Sequence, residues 1–205
     1  MDRPGRKKNF VTRRDFLKSV GGSAAGLGAV PRALGRSGAD RPPELETADR
    51  HRIALTVNGR KVSLGVETRE TLLDVLRDRF RLTGAKRVCN RGECGGCTVL
   101  LDGRPVYSCH LLAVQADGHE IRTVEGLAAK GTLHPLQKAF IEKDGYQCGY
   151  CTPGFLMAST ALLEKTKTPT AEEIRTALSG NLCRCGNYQK IHAAVAAAAE
   201  EMRRG

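Results

Sequence analysis

The chain has 205 residues, 4% of them aromatic, with no Trp and eight cysteines, which is enough length for one or two small domains with real cores. Its net charge is +11, but residues 1–39 carry +7 and the remaining chain only +4. No basic stripe with interleaved aromatics accompanies that charge, which excludes nucleic-acid binding, and no apolar run is long enough for stable membrane insertion.

The N-terminal excess sits around TRRDFLK (Thr12–Lys18), which resembles a twin-arginine export motif. The weakly hydrophobic SVGGSAAGLGAV follows, and Ser37–Ala39 offers a small-residue cleavage site. Residues 1–39 therefore read as a signal region directing the chain to the periplasm. Residues 40–50, with two prolines, read as a linker.

Residues 52–66 give two β-rich runs around Asn58-Gly59, a strong hairpin signal. Between Glu70 and Phe80, the placing of Leu72, Leu73, Leu76 and Phe80 predicts a helix. A glycine- and cysteine-rich loop, CNRGECGGC (Cys89–Cys97), comes next, followed by a second hairpin turning at Asp102-Gly103. This first domain spans 51–126 and is α+β.

From 127 to 205 the pattern is all-α. Leu136, Ala139 and Phe140 mark a short helix behind His134-Pro135, which reads as the end of a linker. Thr152 is placed to cap a second helix with Pro153 at its first position. Thr170 begins a third, with Glu172 and Glu173 in its first turn. Tyr188, Ile191, Val195, Ala198 and Met202 define the fourth, so the domain reads as a four-helix bundle.

The cysteines divide four and four. Cys89, Cys94, Cys97 and Cys109 follow C-x4-C-x2-C-x11-C, whose first three spacings match the plant-type [2Fe–2S] pattern. A loop around such a cluster needs backbone N–H groups at close range. Gly92, Gly95 and Gly96 permit that approach, with positive φ expected. Arg87 and Arg91 add positive charge nearby. Zinc normally takes paired C-x2-C knuckles, and three cysteines within nine residues fit disulfide pairing poorly. The second set is Cys148-Gly-Tyr-Cys151 with Cys183-Arg-Cys185. Alone, CGYC before a helix resembles a thioredoxin-type site, but a helix tail and a turn precede it where a strand is required. Two pairs, each just ahead of a helix, instead suggest a tetrathiolate site between helix N-termini.

GAKRVCNRGECGGCTV (84–99), Cys109, QCGYCTPG (147–154) and GNLCRCGNY (180–188) together resemble the small iron–sulfur subunit of the molybdenum hydroxylases, the xanthine dehydrogenase and aldehyde oxidoreductase family. The resemblance implies a plant-ferredoxin-like β-grasp domain followed by a helical domain, each with one [2Fe–2S] cluster. It implies a partner large subunit carrying molybdopterin, near which Gln147 and Cys185 would lie. Electrons would pass from there through both clusters to FAD on a medium subunit, to a cytochrome or to another acceptor. No catalytic residue is expected on this chain. The family usually has glycine where Val88 stands, and a β-branched residue there calls for ordinary β-region angles. His110, Tyr150 and the alanine-rich final helix have simpler readings as surface or packing residues. Two rivals remain at this point: a free-standing ferredoxin-like carrier, and an exported thiol–disulfide oxidoreductase using Cys148 and Cys151.

Overall fold

The computed structural model describes residues 50–128 and 131–204, together with Thr12, Arg14 and Lys18. The rest of the expected signal region and the linker up to residue 49 lie outside the described residues. Among the described residues, no helix is long and apolar enough to cross a membrane.

Both sequence-predicted hairpins form. Strand β1 (Arg50–Val57) pairs antiparallel with β2 (Arg60–Glu67), and β3 (Thr98–Leu101) with β4 (Arg104–Tyr107). Each turn carries two residues of positive φ, Asn58 and Gly59 in the first, Asp102 and Gly103 in the second, which is the geometry a two-residue turn demands. A further strand, β5 (Glu120–Arg122), escaped the sequence reading. It runs parallel to β1 and antiparallel to β3, so the sheet order is β2-β1-β5-β3-β4. Three residues are too few to show a period of two, and their partners lie far back in the chain.

The helix expected between Glu70 and Phe80 is only partly α. Helix α1 (Leu72–Asp74) opens with a reciprocal capping box between Thr71 and Asp74. It then widens into a π-helical segment, Val75–Arg79, closed by Phe80 N–H to the Val75 carbonyl at 3.1 Å. Leu72, Leu73, Val75 and Leu76 are all fully buried beneath the sheet. The widened turn positions Arg77, whose guanidinium donates to the carbonyls of Thr83 (2.9 Å) and Ala85 (2.8 Å). It thereby ties the Thr83–Ala85 segment ahead of the cysteine loop to the helix.

The helical half contains the four expected helices: α2 (Pro135–Glu142), α3 (Thr152–Lys165), α4 (Ala171–Leu178) and α5 (Tyr188–Arg204). Phe140, Phe155, Leu163, Leu178, Ile191 and Val195 fill their common core. Thr170 caps α4 in a box with Glu173, as expected. Two other ends differ. Cys151, not Thr152, occupies the N-cap of α3, and the buried Thr152 hydroxyl has no hydrogen-bond partner. His134 is no mere linker end: it caps α2, its Nδ1 accepting from Leu136 N–H at 3.2 Å, in a box with Gln137.

The His134 cap has a pH dependence. Burial, with help from the Arg122 charge, lowers the ring's pKa below its ordinary value of 6.5, despite the opposing pull of Glu164 and Glu201. A protonated Nδ1 cannot accept, so the folded state favours the neutral ring. Its contribution is complete above the unfolded pKa and declines as pH falls from there through the lowered folded pKa. The melting temperature should therefore drop between pH 7.5 and 5.5. His134→Asn, which caps without titrating, should flatten that part of the profile.

Candidate metal centres

The first cysteine loop joins the π segment to β3, and it is pinned at both ends. Lys86 N–H donates to the Gly96 carbonyl at 2.9 Å. Arg87 bridges Asp74 (2.7 Å) and Asp78 (2.9 Å). That pairing corrects one expectation: the Arg87 charge is largely spent on two carboxylates rather than offered to the sulfurs. The Asp78 hydrogen bond raises the pKa of Arg87, with Asp74 adding to it.

Backbone N–H groups do turn inward. Arg91 N–H lies 3.4 Å from Cys89 Sγ, and Gly92 N–H lies 3.3 Å from Cys109 Sγ. Gly92 (φ +75°) and Gly95 (φ +68°) have the expected left-handed backbone. Gly96 does not, and its requirement is room: a Cβ there would stand 2.8 Å from Val88 Cγ2. Val88 is not among the positive-φ residues, so valine is accommodated directly ahead of the loop.

Cys89 lies beside Cys94, and Cys97 beside Cys109. Burial opposes ionisation of Cys89, yet the N–H groups of Arg91 and Glu93 and the Cys94 side chain together hold it down at about 6. Burial pushes Cys97 up to about 12, and the adjoining Cys109 thiol adds to that rise.

The second set is assembled from two loops. Cys148 and Cys151 lie between α2 and α3; Cys183 and Cys185 lie between α4 and α5. Cys148 neighbours Cys185, and Cys151 neighbours Cys183. Cys183 N–H donates to the Tyr188 hydroxyl at 2.9 Å, and the Tyr188 ring meets Phe155 edge-on, with centroids 6.2 Å apart. Burial raises Cys151 to about 12, with the Cys183 thiol contributing, whereas the Tyr150 N–H and Cys185 lower Cys148.

None of the eight cysteines is in a disulfide. In each set one thiol is raised and one lowered, Cys97 and Cys89 in the first and Cys151 and Cys148 in the second, and the burial that raises Cys97 and Cys151 is offset when a thiolate meets positive charge. Two thiol pairs are what a cluster with two irons asks of its protein, so the donor sets fit. What precedes Cys148 is α2 and a turn, not the strand a thioredoxin-type site needs.

The comparisons agree with this chemistry. Residues 55–128 match the family model of a 2Fe-2S iron-sulfur cluster binding domain, and residues 123–196 that of a [2Fe-2S] binding domain. The chain is 41% identical over 208 residues to the aldehyde oxidoreductase iron–sulfur-binding subunit of Escherichia coli K12, covering 94% of this chain and 90% of that one. It belongs to the iron–sulfur small subunits of the molybdenum hydroxylases. The small subunit of nicotine 6-hydroxylase from Paenarthrobacter nicotinovorans is 54% identical over 148 residues, 72% of this chain and 89% of that one. Among solved structures, quinoline 2-oxidoreductase from Pseudomonas putida 86 superposes with a TM-score of 0.73 at 45% identity, over 76% of this chain and 98% of the matched chain. The aldehyde oxidoreductase of Desulfovibrio desulfuricans gives 0.72 at 39% identity over 75% of this chain, which spans 17% of that longer one.

Like its family, this small subunit has a ferredoxin-like domain followed by a helical one and carries two [2Fe–2S] clusters. Gln147, Cys148 and Cys185 are exposed, and Tyr150 and Leu182 show 52% and 54% of their surfaces beside them. Sequence reasoning missed Asn181 and Tyr107. Asn181 is buried and donates to the Gly95 carbonyl at 2.9 Å; the Tyr107 hydroxyl donates to the Gly180 carbonyl at 2.7 Å. Neither a lone Asn near a turn nor a tyrosine ending a strand announces a contact some seventy or more residues away.

Proposed function

We propose that the chain relays electrons from a molybdopterin-bearing large subunit to a second acceptor, with Cys89, Cys94, Cys97 and Cys109 holding one cluster and Cys148, Cys151, Cys183 and Cys185 the other. The observation that carries this is the presence of two complete thiol quartets, each made of two neighbouring pairs, within one compact unit. When bound, each cluster supplies a site that accepts and releases one electron. The protein's part is to present eight thiolates, to aim the N–H groups of Arg91 and Gly92 at sulfur, and to exclude water around Cys97, Cys109 and Cys183. The exposed face of Gln147, Cys148 and Cys185 meets the large subunit and its molybdopterin. FAD on a medium subunit, or a cytochrome, takes the electrons at the other end.

Substrate chemistry belongs to the large subunit, and the relatives' names span aldehydes and N-heterocycles such as nicotinate and caffeine. The TRRDFLK stretch supports export to the periplasm: exchanging Arg13 and Arg14 for lysine should strand the protein in the cytoplasm, and unchanged fractionation would refute that. The central test is EPR of the reduced, co-purified complex together with metal analysis. Two distinct [2Fe–2S] signals and about four irons per chain are expected. About two irons, or mainly zinc, would end the proposal.

A further inference from the structure

The two cysteine loops touch, and the contact is polar, with its Asn181 and Thr98 side buried. Leu182 N–H donates to the carbonyl of Cys94 at 2.9 Å. Leu182 directly precedes Cys183, and the carbonyl is Cys94's own. One hydrogen bond and one residue therefore separate a thiol of the first set from a thiol of the second. Beside this bond, Asn181 Nδ2 donates to the Gly95 carbonyl (2.9 Å) and to Thr98 Oγ1 (3.3 Å). Thr98 in turn donates to the same Gly95 carbonyl through its hydroxyl (2.7 Å) and its N–H (3.1 Å). Asn181 and Thr98 are only 4% and 2% exposed, so water does not compete for these bonds. A Cβ at Gly95 would stand 2.5 Å from Asn181 Nδ2 and 2.6 Å from the Gly180 carbonyl, which shows how closely the loops are fitted. Between them lies a cleft of about 80 Å³ bordered by Cys94, Cys148 and Cys151.

We infer that Asn181 is a positioning residue for electron exchange between the two sites, and that the Leu182-to-Cys94 hydrogen bond is the crossing it holds in place. The inference rests on the ligand assignment proposed above. A carboxamide suits the position because it donates to a carbonyl and a hydroxyl at once without charge; aspartate would set a carboxylate against the Gly95 carbonyl. In a crossing, one electron leaves the set that contains Cys183 and arrives at the set that contains Cys94. No covalent bond is made or broken, and the Leu182 proton stays on its nitrogen. Freed from Asn181, the Cys94 loop keeps its own ligands but loses its register against Leu182. Electron exchange falls exponentially with separation and is weaker across a gap than across a hydrogen bond, so the loss of register slows it.

The test uses the co-purified complex carrying Asn181→Ala and, separately, Thr98→Val, which keeps the side-chain shape but removes the hydroxyl that accepts from Asn181 and donates to Gly95. The parent complex must first show both EPR signals and about four irons per chain. If it does not, the ligand assignment fails, and that failure is separate from this one. With iron content and both signals retained, Asn181→Ala should weaken the magnetic interaction between the two reduced sites. Electron exchange between them should slow several-fold. Thr98→Val should shift both readouts in the same direction by less. Unchanged splitting and rate in iron-replete Asn181→Ala would overturn the inference. Loss of iron from both variants would overturn it as well, because Asn181 would then serve assembly rather than positioning.

Discussion

Replacing Cys183 by alanine is expected to halve the iron, from about four to about two per chain, and to erase one of the two EPR signals while leaving the other unchanged. The residue is buried in the core of the helical half, and its backbone N–H bond to Tyr188 survives the substitution. The fold should therefore persist while the site fails. Without the Cys183 thiolate, Cys151 loses its neighbour, and Cys148 and Cys185 stand exposed. Three thiolates cannot complete the coordination of two irons. The surviving signal should be that of the ferredoxin-like half, because Cys97 and Cys109 belong to a separate core. Cys97→Ala should reverse the pattern. Retention of both signals and full iron in Cys183→Ala would rule this residue out as a ligand.

The second large effect is structural. Gly154 lies in the first turn of α3, and a Cβ on it would overlap the carbonyl oxygen of Gly95, with Asn181 Nδ2 only 3.0 Å away. The obstacle is backbone, held by Thr98 and Asn181, so it cannot swing aside. Alanine improves helix propensity by about 1 kcal/mol, but overpacking against a fixed neighbour costs up to about 3 kcal/mol. A net loss on the order of 2 kcal/mol follows, a fall of roughly 4–8 °C in melting temperature for a unit of this size. Gly65→Ala is the matched control, since its Cβ would meet nothing within 4 Å and its φ is not positive. A Gly154→Ala protein melting within about 1 °C of its parent would show that the two halves yield more easily than their contacts imply.

Local chemistry made part of this legible from residues alone. Asn58-Gly59 and Asp102-Gly103 announce their hairpins because a two-residue turn needs positive φ at both positions, and few residue pairs supply it. The Thr170 cap and the final helix through Met202 were readable for the same reason: their signals lie within a few residues of one another. The spacing of Cys89, Cys94 and Cys97 was equally direct. What stayed hidden depends on distant partners. The strand Glu120–Arg122 is too short to carry a pattern and exists only because β1 and β3 flank it. The π-helical widening after Asp74 keeps an apolar spacing that an ordinary helix would share, and it is settled by what Arg77 reaches. Gly96 looked like a conformational glycine and proved to be a steric one, set by Val88. Asn181 has no local signature, since its acceptors, Gly95 and Thr98, lie 86 and 83 residues earlier.

Strand β3 carries one further implication. Val99 faces the core beneath the sheet, whereas its neighbour Leu100 is buried among the side chains of the helical half. Alternate residues of a single strand thus furnish two interiors. The halves are consequently not interchangeable cassettes. A fragment beginning after residue 126 would forfeit the apolar floor supplied by Leu100 and Val124, and the sheet without its helices would expose leucine to water. The two cores should melt in a single cooperative transition, and a lineage could not readily exchange one cluster-bearing half for a foreign one without recutting the strand between them.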